Sequence, residues 1–306
     1  MARQSTDGIL DRARTRQHWL RPVLLINLVL ETLIIVTGGL VRLTGSGLGC
    51  STWPQCVPGS YVPTREQAEG WHKYVEFGNR TLTGALSLAA VAMIVAVALW
   101  AGRRRDLWWA AWFVMGGVVS QAVVGGITVR MGLNPAIVAF HMLCSLVLVA
   151  ASAYAYFRAT EPEGRRPLVV HPLVERLAWV TSAVAAVVLV LGTVVTGSGP
   201  HSGDADTPAR LGFDPRSASW LHADSVMLLL GLIVAVLVAA RLTQRTSLPG
   251  HAWAVVLATA LAQGLIGYVQ YFTKLPEALV LAHMLGAALL VIALSFGIVR
   301  LRASAE

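Results

Sequence analysis

Charge is what this sequence has least of. Only 13% of its 306 residues are Asp, Glu, Lys or Arg, while 56% are hydrophobic. That is about half the charge density of a soluble globule of this length, and it excludes a chain whose surface is mostly solvated. Mean hydropathy is +0.64. The apolar residues come in runs of about 20, the length that crosses a bilayer as a helix. Eight such spans are predicted, at 22–42, 80–100, 108–129, 135–157, 177–197, 220–241, 251–272 and 277–299. The first run is followed by no small-residue cleavage site and starts after a polar head. It therefore reads as a retained span and not as a cleavable signal peptide. Cysteine is scarce too, with three residues, and this leaves little material for a thiolate metal site.

The formal charge of +8 and the pI near 10 would suggest a nucleic-acid partner in a soluble protein. Here the cations lie in short loops between apolar runs, so topology explains them and no nucleic-acid partner is expected. Most of the 24 lysines and arginines fall in the head (Arg3, Arg12, Arg14, Arg16, Arg21), after span two (Arg103, Arg104, Arg105), after span four (Arg158, Arg165, Arg166, Arg176) and after spans six and eight (Arg241, Arg245, Arg300, Arg302). With eight spans all of these share one side. The expectation is a multi-pass protein of the cell membrane, surrounded by lipid, with both termini cytoplasmic. The long loops at 43–79 and 198–219 then lie outside. Cys50 and Cys56 are in the first, where an oxidising environment favours a disulfide and Pro54 lets the chain fold back. Cys144 falls within a span and reads as a core residue.

The chain repeats itself. "SQAVVGGITV" (120–129) in span three matches "AQGLIGYVQY" (262–271) in span seven, and "AFHMLCSLVL" (139–148) matches "LAHMLGAALL" (281–290). Gln121 to Gln263, Gly125 to Gly267 and His141 to His283 share one offset of 142 residues. The fold class expected is all-α membrane protein, with two four-helix bundles, 1–160 and 161–306. An even number of spans per half gives both halves one orientation and a pseudo-two-fold axis along the membrane normal.

His141 and His283 lie six residues into their spans, at roughly 9 Å depth for 1.5 Å per residue. His222 begins span six at a similar level. Its counterpart in the first half is Asn79 or Arg80. Ionisable groups at such depth are expensive and mark functional cavities. The bland reading is a helix–helix hydrogen bond from each histidine. Paired imidazoles on facing helices also suit axial ligation of a haem iron. Small residues such as Gly125 and Gly267 would admit a flat macrocycle. Outside arginines, among them Arg42, Arg80, Arg130, Arg210 and Arg216, could meet its propionates. Glu76, one turn from Asn79, is a candidate for proton chemistry or for an ion pair with Arg80 or Lys73. His72 reads as a solvated loop residue or as a substitute ligand. Glu31 and Asn27 are polar residues inside span one without a partner named by the sequence. His201 is exposed or contacts a propionate.

These residues resemble those of the haem A synthase family. The resemblance covers the whole chain: "GGLVRLTGSGLGCSTWPQC" (38–56), the Glu76–Arg80 element, "AFHML", "TGSGPHSGD" (196–204), His222 and "LAHML". It implies a haem b cofactor held by His222 and His283 in the C-terminal half. It implies a substrate haem in the N-terminal half near His141, Glu76 and the Cys50/Cys56 loop, with Arg80, Arg130 and His201 as propionate contacts. The reaction implied is oxidation of the C8 methyl of haem O to a formyl group by successive hydroxylations. Electrons would leave through the cofactor haem to a quinone or other acceptor, and a haem O synthase would be a partner. One position departs: many members have histidine where this chain has Asn79, so no ligand role is carried to it. The alternative is a membrane haem b electron-transfer cytochrome, which gives no reason for Glu76 or the cysteine loop. A transporter of parallel repeats would place its polar site at the midplane instead.

Overall fold

The structure is a computed structural model describing residues 3–102, 104–161, 163–164, 166–201, 203–204 and 209–303, with side chains from residue 19 onward. Arg103 and Arg165 lie outside the described residues, as do the side chains of Arg3, Arg12, Arg14 and Arg16. Eight α-helices are described: α1 (Arg3–Leu43), α2 (His72–Trp100), α3 (Arg105–Arg130), α4 (Pro135–Ala159), α5 (Pro172–Ser198), α6 (Pro215–Thr243), α7 (Leu248–Phe272) and α8 (Glu277–Val299). Each is long and apolar enough to cross a membrane, α1 from Trp19 onward.

Local chemistry sets the helix starts. Proline opens α4, α5 and α6, where its missing N–H would have had no helical partner. Asn134 caps α4 by accepting from the Ala136 N–H, and Asp214 caps α6 by accepting from the Ser217 N–H. The Asp214 cap starts α6 five residues before the expected span. Helix α2 begins eight residues early, because its polar first turns find partners in the preceding loop. Lys73 Nζ donates to the carbonyls of Thr64 (2.7 Å) and Arg65 (3.3 Å). The first helix also runs back through the polar head and across Pro22.

In the first bundle α1 packs on α2 and α4, and α3 on the same two; α5 to α8 repeat the arrangement. The halves meet where α4 packs on α8, α1 on α8, and α4 on α5. Exchanging the halves maps the α1–α8 contact onto α5–α4 and α4–α8 onto itself, as a two-fold axis requires. Lipid supplies little hydrophobic drive for such a seam, so close approach and polar contacts hold it. Gly39 of α1 lies where any Cβ would strike Met284 and Leu281 of α8. Within the first bundle, Asn27 Nδ2 of α1 donates to Ser152 Oγ of α4 across 2.9 Å in a fully buried site. Where α4 and α8 end, Glu161 accepts from Arg158 and from Arg300 at 2.7 and 2.8 Å.

The apolar core fills only one end of each bundle. In the first half it comprises residues such as Leu24, Met93, Val97, Leu107, Val114 and Leu148; in the second, Ala178, Leu229, Ile233, Val236, Trp253 and Leu294. No residue is buried in α6 before Leu229, in α7 after Ala260 or in α8 before Ala288. The opposite end of each bundle, on the side of the 43–71 loop, is loosely filled, and there the histidines stand.

Candidate functional site

The second bundle holds His222 on α6 and His283 on α8. His222 Nδ1 lies 3.1 Å from the Val188 carbonyl of α5. A carbonyl only accepts, so Nδ1 carries the proton and Nε2 keeps its lone pair. His283 is anchored through its backbone: Gln263 Nε2 of α7 donates to the His283 carbonyl at 2.7 Å. Its ring Nδ1 is buried with no partner among the described residues, which leaves a buried polar atom to be satisfied. Both rings rest on glycine. A Cβ at Gly192 would meet His222 Cε1 at 3.3 Å, and one at Gly267 would meet His283 Cε1 at 3.2 Å.

The first bundle repeats half of this. Gln121 Nε2 donates to the His141 carbonyl at 2.8 Å, as Gln263 does to His283. His141 Nδ1 is likewise buried without a partner among the described residues, and its ring faces Gly125. At the place of His222 stands Asn79. Its amide oxygen accepts from Thr37 Oγ1 of α1 at 2.7 Å, so it is spent on a helix–helix contact. The pair of rings in one half is matched by one ring and a tethered amide in the other.

Tested against a haem, the α5–α8 residues fit. Two imidazoles stand in the one bundle, one with its tautomer fixed for ligation through Nε2. Glycines under both rings let the imidazoles lie close to the helix backbones, and α6 before Leu229, α7 after Ala260 and α8 before Ala288 contain no buried residue. In the α1–α4 half the imidazole matching this pair is His141, with Asn79 bonded to Thr37.

The cysteine loop lies at the same end of the first bundle, against the start of α2 and the end of α3. Cys50 and Cys56 are joined as a disulfide with their Cα atoms 4.4 Å apart. Glu76 of α2, 4% exposed, accepts from the Cys50 N–H through Oε2 at 2.5 Å and from Arg80 Nε through Oε1 at 3.0 Å. The rest of the Arg80 guanidinium donates to Glu76 and to the carbonyls of Cys50, Thr52 and Gln55. Arg80 is thus occupied by the loop and by Glu76. Arg130 Nη2 donates to the Trp53 carbonyl at 2.9 Å. The Trp53 indole lies on Gly126 of α3, where any Cβ would collide with it. Gly126 adjoins Gly125, the residue against which the His141 ring rests.

The other expected residues fall near this rim. His72 opens α2, stacks on Trp71 and shares a hydrogen bond of 2.9 Å with Ser46 Oγ. Arg42 Nε donates to the His201 carbonyl at 2.8 Å and its Nη2 to the Thr196 carbonyl at 2.9 Å, tying α1 to the loop after α5. The His201 ring lies 3.4 Å from the Leu275 carbonyl. Glu31 is deep in α1, 1% exposed, with Oε1 unpartnered among the described residues. Thr37, Trp53 and the Val188 carbonyl were missed by sequence reasoning. Only the repeated glutamines gave a signal that could have found the histidine anchors.

The COX15-CtaA family model, described as cytochrome oxidase assembly protein, matches residues 21–201, more than half of the chain. The match includes Cys50, Cys56, Glu76 and His141 and ends before His222 and His283. A Heme A synthase of Lysinibacillus sphaericus is 33% identical over 120 residues, 39% of this chain and 38% of that protein. One of Alkalihalophilus pseudofirmus is 32% identical over 127 residues, 39% of each chain. One of Oceanobacillus iheyensis is 26% identical over 133 residues, 42% of each. The matches thus span well under half the length of each relative.

Proposed function

The chain belongs to the COX15-CtaA family of cytochrome oxidase assembly proteins, and from that premise we propose that it is a haem A synthase of the cell membrane, with both termini cytoplasmic. Its substrate is haem O, and the C8 methyl group is oxidised to formyl. The change from methyl to formyl takes up one oxygen atom and removes four electrons in two hydroxylation stages, the second giving a gem-diol that loses water. The similar proteins named Heme A synthase support this reading. The observation that carries it is the asymmetry of the two histidine sites. One has two imidazoles suited to a permanent ligand; the other has one imidazole, a carboxylate and a tethered loop over its mouth.

His222 and His283 would hold the resident haem, a haem b, in the α5–α8 half. That group would supply a route for electrons to a quinone or another acceptor. His141 holds the substrate haem from one side, leaving its opposite face open. Glu76 stands at the rim as the proton acceptor. Two Arg80 N–H groups occupy Oε1 and the Cys50 N–H occupies one side of Oε2, which leaves one lone pair on Oε2 for a substrate proton. The disulfide keeps the loop short enough to present the Cys50 N–H to Glu76. Trp53 shuts the same mouth and keeps water from the reacting edge. Arg130 and His201 stand at the outer rim for propionate contact, and Arg80 stands there as a charge already shared with Glu76.

The test is reconstitution. Purified protein with its native haem, supplied with haem O and a quinone in lipid, is expected to yield haem A by extraction and chromatography. Haem O recovered unchanged beside a redox-active haem b would establish the electron-transfer cytochrome instead.

A further inference from the structure

At the end of the molecule away from the cysteine loop, a cavity of about 580 Å³ opens at the seam between the bundles. Five guanidinium groups line it: Arg104 and Arg105 where α3 begins, Arg158 near the end of α4, Arg166 in the segment joining the halves, and Arg302 after α8. Asp106 and Glu163 are the carboxylates of the lining. The neighbouring Glu161 shares its charge among Arg158, Arg166 and Arg300. Asp106 is likewise shared between Arg104 and Arg158. Arg302 is paired with Glu175.

A purely structural ion network would bring cations and carboxylates into balance. This one does not. Arg104 and Arg158 are 6% exposed and fixed by their carboxylates and by the Glu161 and Arg158 carbonyls. Arg105 is exposed on the wall and has no partner among the described residues. Burial, and after it the nearby Arg158 charge, hold the Arg166 guanidinium below its ordinary value even with Glu161 beside it. The Tyr154 side chain completes the wall. The lining holds more guanidinium groups than carboxylates, with the unpaired Arg105 beside the fixed Arg104 and Arg158, and guanidinium forks match phosphate oxygens in geometry.

We propose that this seam cavity binds a phosphate group carrying net negative charge. It lies level with the helix ends, where basic pockets between membrane helices meet anionic headgroups. The same phosphate chemistry is offered by a free phosphate ion. A bound phosphate would join Arg104 and Arg158 of the first half to Arg166 and Arg302 of the second, and so brace the seam opposite the haem cavities.

The experiment uses delipidated, haem-loaded full-length protein in neutral detergent at constant ionic strength. It is titrated separately with phosphatidylglycerol, phosphatidylcholine and inorganic phosphate, and binding is read by native mass spectrometry and thermal unfolding. Saturable binding of phosphatidylglycerol but not phosphatidylcholine, with a higher unfolding temperature, is expected if the source is lipid. The same response to inorganic phosphate identifies the free anion. Arg105→Gln, on a side chain that holds nothing in place, is expected to weaken binding about fivefold. Glu163→Gln, which removes an exposed negative charge from the wall, is expected to tighten it. Equal binding of the two phospholipids with no response to phosphate, or binding unchanged in both variants, overturns the proposal.

Discussion

An imidazole that donates Nδ1–H to a fixed carbonyl offers the lone pair of Nε2 on the other side. His222 does this toward Val188, while Asn79 at the matching place in the first half spends its amide oxygen on Thr37. From this residue-scale difference follow opposite responses to substitution. His283→Ala or His222→Ala is expected to remove most of the haem b from purified protein, measured by the absorbance of the reduced pyridine complex. His141→Ala is expected to leave that haem in place. Asn79→His supplies a second imidazole opposite His141. With haem O bound, the variant is expected to show a low-spin component in addition to that of the haem b, one that the parent protein with haem O lacks. An unchanged spectrum would show that residue 79 does not face the substrate iron.

At the scale of elements, the unit to explain is the loop over the first cavity and its attachment to α2 and α3. Residues 72–79 read as a polar approach to a span, and the structure makes them the first two turns of α2. The reason is tertiary: Lys73, Glu76 and Arg80 each satisfy backbone groups of the loop, which no local pattern reveals. The eight apolar runs were legible because span length and hydrophobicity are properties of single segments. The histidine levels were legible because the repeat preserves them. Trp53 on Gly126 was not, since it depends on where a 28-residue loop folds back. Gly126→Leu tests this contact. The side chain has no room beneath the indole, and overpacking of this kind costs about 1–3 kcal/mol. The expected result is a displaced loop, seen as faster alkylation of Cys50 and Cys56 under mild reductant, with haem b content unchanged. Loss of haem b in this variant would show that the two halves do not bind their haems independently.

For the whole molecule, two copies of one bundle meet around α4 and α8 and differ in what fills their loose ends. Duplication explains the shared anchors, Gln121 to His141 and Gln263 to His283. Divergence explains why a carboxylate, an amide and a covered mouth occur in one copy only. A symmetric pair of cavities would suit electron transfer between two permanent haems. The asymmetric pair suits one haem that stays and one that leaves. The seam bears on this division because Arg42 and Glu161 reach across it and tie the two halves together.

The division of labour is tested most directly by haem extraction from cells that make haem O but not haem A, carrying either the native chain or Glu76→Gln. The native chain is expected to convert haem O to haem A. Glu76→Gln is expected to retain full haem b while haem A falls about 10²- to 10⁴-fold, the usual contribution of a positioned proton acceptor. Undiminished haem A from Glu76→Gln, or none from the native chain with its haem b in place, would contradict the account.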